Sequence, residues 1–118
     1  MDAQFIKTLQ ENHIALWNEK DPASREELVK TIYSDNIKMY DKDFILTGSS
    51  EVLGFIGKLL ADDPRFYFSA VKPMQITQNG VRLFWNIRTS GADLTGMDFF
   101  VIGNDKVQHL YVFMDGHA

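Results

Sequence analysis

The chain has 118 residues, 45% of them hydrophobic and 24% charged, and it contains no cysteine. That length suits one domain covering 1–118 with a real core, and the lack of cysteine excludes disulfides, thiolate metal sites and a thiol nucleophile. Twelve basic against sixteen acidic residues leave a net charge of −4, without the basic footprint of a nucleic-acid binder. Residues 2–20 read as an amphipathic helix, because Phe5, Leu9, His13, Leu16 and Trp17 fall on one face at helical spacing. Asp21-Pro22 ends it, and a short second helix with Leu28, Val29 and Ile32 on its buried side follows. Either Ser24-Arg25-Glu26-Glu27 opens that helix as a capping box, or Pro22 is its first residue with Asp21 as the cap. Ile37–Tyr40 alternates like a short strand, Asp41-Lys42-Asp43 is a polar turn, and Phe44–Leu46 is a second short apolar piece before Gly48.

Ser49 or Ser50 is positioned to cap a third helix carrying Val52, Leu53, Phe55, Ile56, Leu59 and Leu60, which Asp62-Asp63-Pro64 closes. Gly54 and Gly57 each weaken such a helix by about 1 kcal/mol relative to Ala, so either a close neighbour or a loose helix accounts for them. Beyond Pro64 the character changes. Arg65–Lys72, Met74–Gln78, Val81–Ser90, Thr95–Ile102 and Val107–Asp115 read as strands, separated by Asn79-Gly80, Gly91-Ala92-Asp93 and Gly103-Asn104-Asp105. Asn-Gly predicts a tight hairpin, and short turns make successive strands antiparallel. Helices first and a meander afterwards predict an α+β fold, with the helices covering one face of a curved sheet. Met1-Asp2-Ala3-Gln4-Phe5 lacks the basic-then-apolar order of a signal peptide, and no apolar run approaches the ~20 residues that cross a bilayer. A soluble cytoplasmic protein without membrane contact is the expectation.

Several segments together carry a resemblance: Leu16-Trp17-Asn18-Glu19-Lys20-Asp21, then Tyr33-Ser34-Asp35-Asn36 through Tyr40-Asp41 to Gly48. Thr95-Gly96-Met97-Asp98-Phe99-Phe100 and Lys106-Val107 with Leu110, Phe113 and Asp115 complete it. In order and spacing they are similar to the NTF2-like superfamily, and within it to the SnoaL-like group. The resemblance implies a cone in which a strongly curved, mostly antiparallel sheet wraps three N-terminal helices around an apolar cavity. It also implies a homodimer joined through the outer sheet face. Isomerases, cyclases, epoxide hydrolases, dehydratases and transport factors share this superfamily, so function rests on particular residues.

Three residues stand out. Asp41 lies in the turn after the first short strand, where it is either a base at a cavity wall or a solvated turn residue. In ketosteroid isomerases a catalytic aspartate holds the similar place, which implies removal of a proton from carbon next to a carbonyl. Asp98 interrupts an apolar strand and shares a face with Phe100 and Ile102, so it is protonated, paired or exposed at a cavity mouth. The resemblance implies a neutral acid there, donating to an oxyanion; the alternative is a structural carboxylate bonded to a nearby Trp, His or backbone donor. His13 sits on the apolar stripe of the first helix, where the isomerase pattern has a tyrosine donor. It is either an acid–base partner of Asp98 or a satisfied core histidine. Strand parity puts Leu110, Val112 and Met114 on one face and His109, Tyr111 and Phe113 on the other. The resemblance turns the first set inward, as pocket lining with Trp17, Trp85 and Phe100, and leaves Tyr111 and Phe113 as a dimer face.

Other chemistries lack their residues. Gly96 stands where an epoxide hydrolase has the arginine of its Arg-x-Asp pair, and His13, His109 and His117 have no metal-ligand spacing. No cofactor or metal is expected. The readings are a cofactor-independent isomerase- or cyclase-like enzyme acting on a small apolar or aromatic carbonyl compound, a non-catalytic binder of such a ligand, or a dimeric scaffold.

Overall fold

The structure, a computed structural model, describes residues 1–116. Three helices, α1 (Ala3–Asn18), α2 (Pro22–Ile32) and α3 (Ser49–Asp62), pack on one curved, unclosed sheet. Its strands are β1 (Tyr33–Tyr40), β2 (Ile45–Thr47), β3 (Tyr67–Ala70), β4 (Gln75–Thr77), β5 (Gly80–Arg88), β6 (Leu94–Gly103) and β7 (Lys106–Met114). The order across the sheet is β2-β1-β7-β6-β5-β3, with β4 also paired to β5. Every pairing is antiparallel except β1 with β7, which places Met39 beside Leu110 and Tyr40 beside Tyr111. Among the described residues, no helix is long and apolar enough to cross a membrane.

Local chemistry accounts for the element ends. Asp2 caps α1 by accepting from the Phe5 amide at 2.7 Å. At α2 Asp21 is the cap, accepting from the Ser24 amide at 3.1 Å and hydroxyl at 2.8 Å, and Pro22 fills the first turn. Ser24 is thereby a residue of the helix and opens no capping box. Neither Ser49 nor Ser50 caps α3. Gly48 does, at φ +88°, while Glu51 reaches back to accept from the Thr47 amide at 2.8 Å. The first hairpin turn after α3 is Gln78-Asn79, one residue ahead of the expected Asn79-Gly80. Gly80 pairs with Thr77 inside the ladder, and a Cβ there would meet the Phe99 ring at 2.5 Å. Asn104 and Asp105 both have positive φ, as a type I′ turn requires. Of the two α3 glycines, Gly57 lies against the Arg25 guanidinium, 3.1 Å from where its Cβ would be, and Gly54 faces open space.

The core lies between the helices and the inner sheet face. Leu9, Leu16, Val52 and Ile56 from the helices meet Ile37, Val81, Leu83, Phe100 and Leu110 from the strands. Burial alternates along β6, with Gly96, Asp98, Phe100 and Ile102 inward, so the strand parity read from the sequence holds.

Candidate functional site

Asp98 is carried inward by the alternation of β6, between Leu83 of β5 and Val112 of β7. Two residue pairs along, Trp85 lies across from Gly96, where a Cβ would come within 2.4 Å of its ring. The glycine thus clears the space that lets the Trp85 indole N–H donate to Asp98 Oδ1 at 3.0 Å. From the other side α1 delivers His13, fully buried, with Nε2 3.0 Å from Asp98 Oδ2. Its ring is enclosed by Phe100 at 4.7 Å and Phe68 at 5.4 Å, both edge-on, with Trp17 and Tyr33 beyond.

The network continues to Tyr33, whose hydroxyl lies 2.7 Å from His13 Nδ1, and to Trp17, whose indole N–H donates to the Tyr33 oxygen at 2.9 Å. Its direction follows from the donors. An indole can only donate, so Tyr33 spends its oxygen as acceptor for Trp17 and its own hydrogen needs another acceptor. His13 Nδ1 is that acceptor, which leaves the imidazole hydrogen on Nε2, donated to Asp98 Oδ2. Burial is the main reason that the Tyr33 phenol is pushed well above its ordinary value; the Trp17 donor opposes this and the negative Asp98 adds to it. Tyr33 therefore keeps its proton. Four donors meet four acceptors, and the pattern closes with a neutral imidazole and an ionised Asp98. An imidazolium, or an Asp98 proton donated to His13, would strand the Tyr33 hydrogen without an acceptor. Among the described residues no buried side-chain nitrogen or oxygen lacks a partner. Both carboxylate oxygens accept in this network, so the donating Asp98 implied by the resemblance would need a proton directed outside these four bonds.

Above the pair lies a cavity of about 120 Å³. Its walls are aromatic and aliphatic, with Trp17, Phe55, Phe66, Phe68 and Trp85 facing Met39, Leu59, Ile87, Leu94, Val112 and Met114. The acidic side chains that border it are Asp98 and Asp41. Asp41 comes from the turn after β1, where its amide donates to the Phe44 carbonyl at 2.9 Å and its Oδ1 accepts from the Asp43 amide at 3.3 Å. Because β1 stops at Tyr40 while β7 runs on to Met114, the sheet has a notch beside Asp41. Asp41, Val112 and Met114 border both the cavity and an outer groove of about 400 Å³ that Tyr40, Lys42, Asp43, Tyr111 and Phe113 complete.

The expected site residues thus separate. Asp41 and Asp98 meet around one cavity, with Trp17, Trp85, Val112 and Met114 in its walls. His13 stands behind Asp98 with both nitrogens engaged, so it is placed to orient the carboxylate and not to touch a ligand. Phe100 and Leu110 are fully buried in the core and do not border the cavity. Strand parity told which face they occupy but not how deep along the cone they sit. His109 is on the outer face, bonded through Nδ1 to the Tyr40 hydroxyl at 3.0 Å, and His117 lies outside the described residues. Among the described residues no group of three or more His, Asp or Glu is arranged to hold a metal ion.

Sequence reasoning about single sites missed Tyr33, the link that sets the network's direction. The signal was present in the unmet donor of Trp17, which needed a buried acceptor. It also missed the Phe55, Phe66 and Phe68 walls, which belong to α3, the segment after it and the edge strand β3.

No protein-family model and no curated protein matches this sequence. Solved structures do match. A candidate isomerase of the SnoaL-like family from Agrobacterium tumefaciens superposes with a TM-score of 0.84 at 22% identity, covering 96% of this chain and 99% of that one. The chain has the SnoaL-like fold. A SnoaL-like protein of unknown function from Burkholderia thailandensis gives a TM-score of 0.77 at 17% identity, covering 98% and 99%. A candidate SnoaL-like polyketide cyclase from Jannaschia gives 0.73 at 13% identity, covering 98% and 90%. The SnoaL-like fold therefore spans the described helices and strands, including β6, which holds Asp98, and β1, which leads into the turn of Asp41.

Proposed function

We propose that this chain is a small-molecule pocket protein that carries out cofactor-independent proton transfer, of the isomerase or cyclase type, on a small apolar or aromatic carbonyl compound. One observation carries the reading: two carboxylates, Asp98 and Asp41, border one otherwise apolar cavity. Asp98 is the base. It takes a proton from the carbon next to the ligand's carbonyl, and its conjugate acid returns that proton at another carbon, so that isomerisation needs no added reagent. His13 and Trp85 hold the carboxylate in place as positioning residues. Asp41, at the notch, is the second proton-transfer group and the one in contact with solvent. The likeness to a candidate isomerase and a candidate cyclase supports the same class by analogy of fold.

The test is proton exchange. Single-ring enolisable ketones incubated with the protein in D₂O lose their α-proton NMR signals faster than in buffer, and Asp98→Asn lowers that rate about 100-fold, as expected for a lost general base. An exchange rate equal to the protein-free rate sinks the catalytic reading. A second reading, a non-catalytic binder, is favoured by the polar groups of the cavity. Both oxygens of Asp98 already accept, and the two indole donors are committed to Asp98 and Tyr33, so the walls present no donor to an enolate oxygen. Under that reading ligands bind and keep their protons.

The outer sheet face is the proposed dimer surface. It carries Phe113, which is 56% exposed, with the stacked pair Tyr40 and Tyr111, ring centroids 4.4 Å apart. The exposed Phe113 beside the half-buried Tyr40 and Tyr111 supports this reading.

A further inference from the structure

We infer that the cavity takes its ligand as a cation, an ammonium group attached to a single ring. The inference rests on the proposal that the cavity is a ligand site, and it adds a positive charge to the single-ring ligand proposed for it. Three observations carry it.

The first is the charge of the wall. The hydrogen-bond count leaves His13 neutral and Asp98 ionised, so the buried pair has a net negative charge that no neighbour cancels. The cavity walls contain no Lys, Arg or His among the described residues, and the second titratable wall group, Asp41, is also a carboxylate. Lys42 borders the outer groove and not the cavity. An anion in apolar surroundings, held by two neutral donors, gains most from a positive charge brought by the ligand.

The second is the composition of the remaining wall. Trp17, Phe55, Phe66, Phe68 and Trp85 border the space, and aromatic rings attract a cation through their quadrupole, most strongly when it is desolvated. With the indole hydrogens committed elsewhere, no wall group is left to solvate an anionic ligand.

The third is size. At about 120 Å³ the cavity is close to the roughly 150 Å³ apolar cavity that holds one benzene molecule. One six-membered ring or its equivalent fills it, and the notch at Asp41 leaves room for a short substituent to lead outward. A fused multi-ring ligand is not enclosed.

Three probes of one shape separate the possibilities: benzylamine, benzyl alcohol and benzoate, titrated into the full chain. The indole N–H signals of Trp17 and Trp85, the two tryptophans of the chain, report binding at the walls. Benzylamine is expected to bind at least tenfold tighter than benzyl alcohol, with benzoate silent. Asp98→Asn should bring the amine and the alcohol to within threefold of each other. Where that variant loses its dispersed spectrum, Asp41→Asn at the half-exposed mouth provides the second comparison and should reduce the preference. Equal binding of amine and alcohol by the wild type, or a preference for benzoate, overturns the cation and leaves the pocket reading standing. If none of the three moves either indole signal while the ketones of the exchange experiment do, the cation is again overturned. Silence of all probes and all ketones removes the pocket reading with it.

Discussion

At the scale of single residues, the site depends on which groups are able only to donate. Trp17 and Trp85 end the network as pure donors, Asp98 is a pure acceptor, and Tyr33 and His13 each relay one hydrogen toward the carboxylate. Tyr33→Phe removes the acceptor of Trp17 and the donor of His13 together, so two buried groups lose a partner. The expected cost is about 2–3 kcal/mol, read from urea unfolding. The pH dependence has a definite sign. The folded phenol titrates well above the ordinary 10.0 that applies in the unfolded chain. Its contribution is therefore fully present below pH 10 and is lost as the pH rises from there toward the folded value. Wild-type stability should fall in that alkaline window, and Tyr33→Phe should fall less steeply over the same range. A parallel decline in the two proteins would refute the assignment of Tyr33.

At the scale of elements, side chains complete what the strands leave open. The edge strand β3 has β5 on one side only, and Asn18, at the end of α1, occupies the other. Its amide donates to the Phe68 carbonyl at 2.7 Å and accepts from the Phe68 amide at 2.7 Å, as a neighbouring strand would. Asn18→Asp keeps the acceptor and loses the donor, placing a carboxylate against a carbonyl. A loss of about 1–2 kcal/mol and faster amide exchange confined to β3 are expected. An exchange pattern unchanged at Phe68 would show that the edge needs no such clasp. The elements themselves were legible in the sequence because the helix stripe of Phe5 to Trp17 and the alternation around Asp98 are periodic. The caps were less so. Asp21 and Ser24 are both good caps, and the choice between them followed from Pro22, whose ring suits the first helical turn. The hairpin slipped by one residue because Gly80 is required for Phe99 and not for the turn. In the site, facing directions were legible and depth was not: Phe100 and Asp98 share a face of β6, yet only Asp98 borders the cavity. Depth depends on where α1 and α3 cross the sheet, which no local pattern encodes.

At the scale of the whole molecule, the helices cover the inner sheet face and leave the outer one bare. Phe84 there has Lys72 at 4.6 Å and Arg82 at 5.2 Å from its ring, but among the described residues Phe113 has no such cover. Light scattering should give twice the 13.5 kDa chain mass, and Phe113→Glu should give the single mass with an unchanged circular dichroism spectrum. A wild type that stays at the single mass at high concentration would refute this interface. The parallel pairing of β1 with β7 has a consequence for how the molecule is made. Residues 33–40 find their sheet partner in residues 106–114, and His13 finds Asp98 85 positions away. On the ribosome, α1 and α2 emerge with their apolar stripes and their central histidine unmatched, and they stay so until nearly the entire meander has been synthesised. Such long-range closure slows folding and extends the exposure of sticky surface. The nascent chain is therefore expected to depend on chaperones until β7 has been released from the exit tunnel, and then to consolidate its core and its buried anion in a single late step.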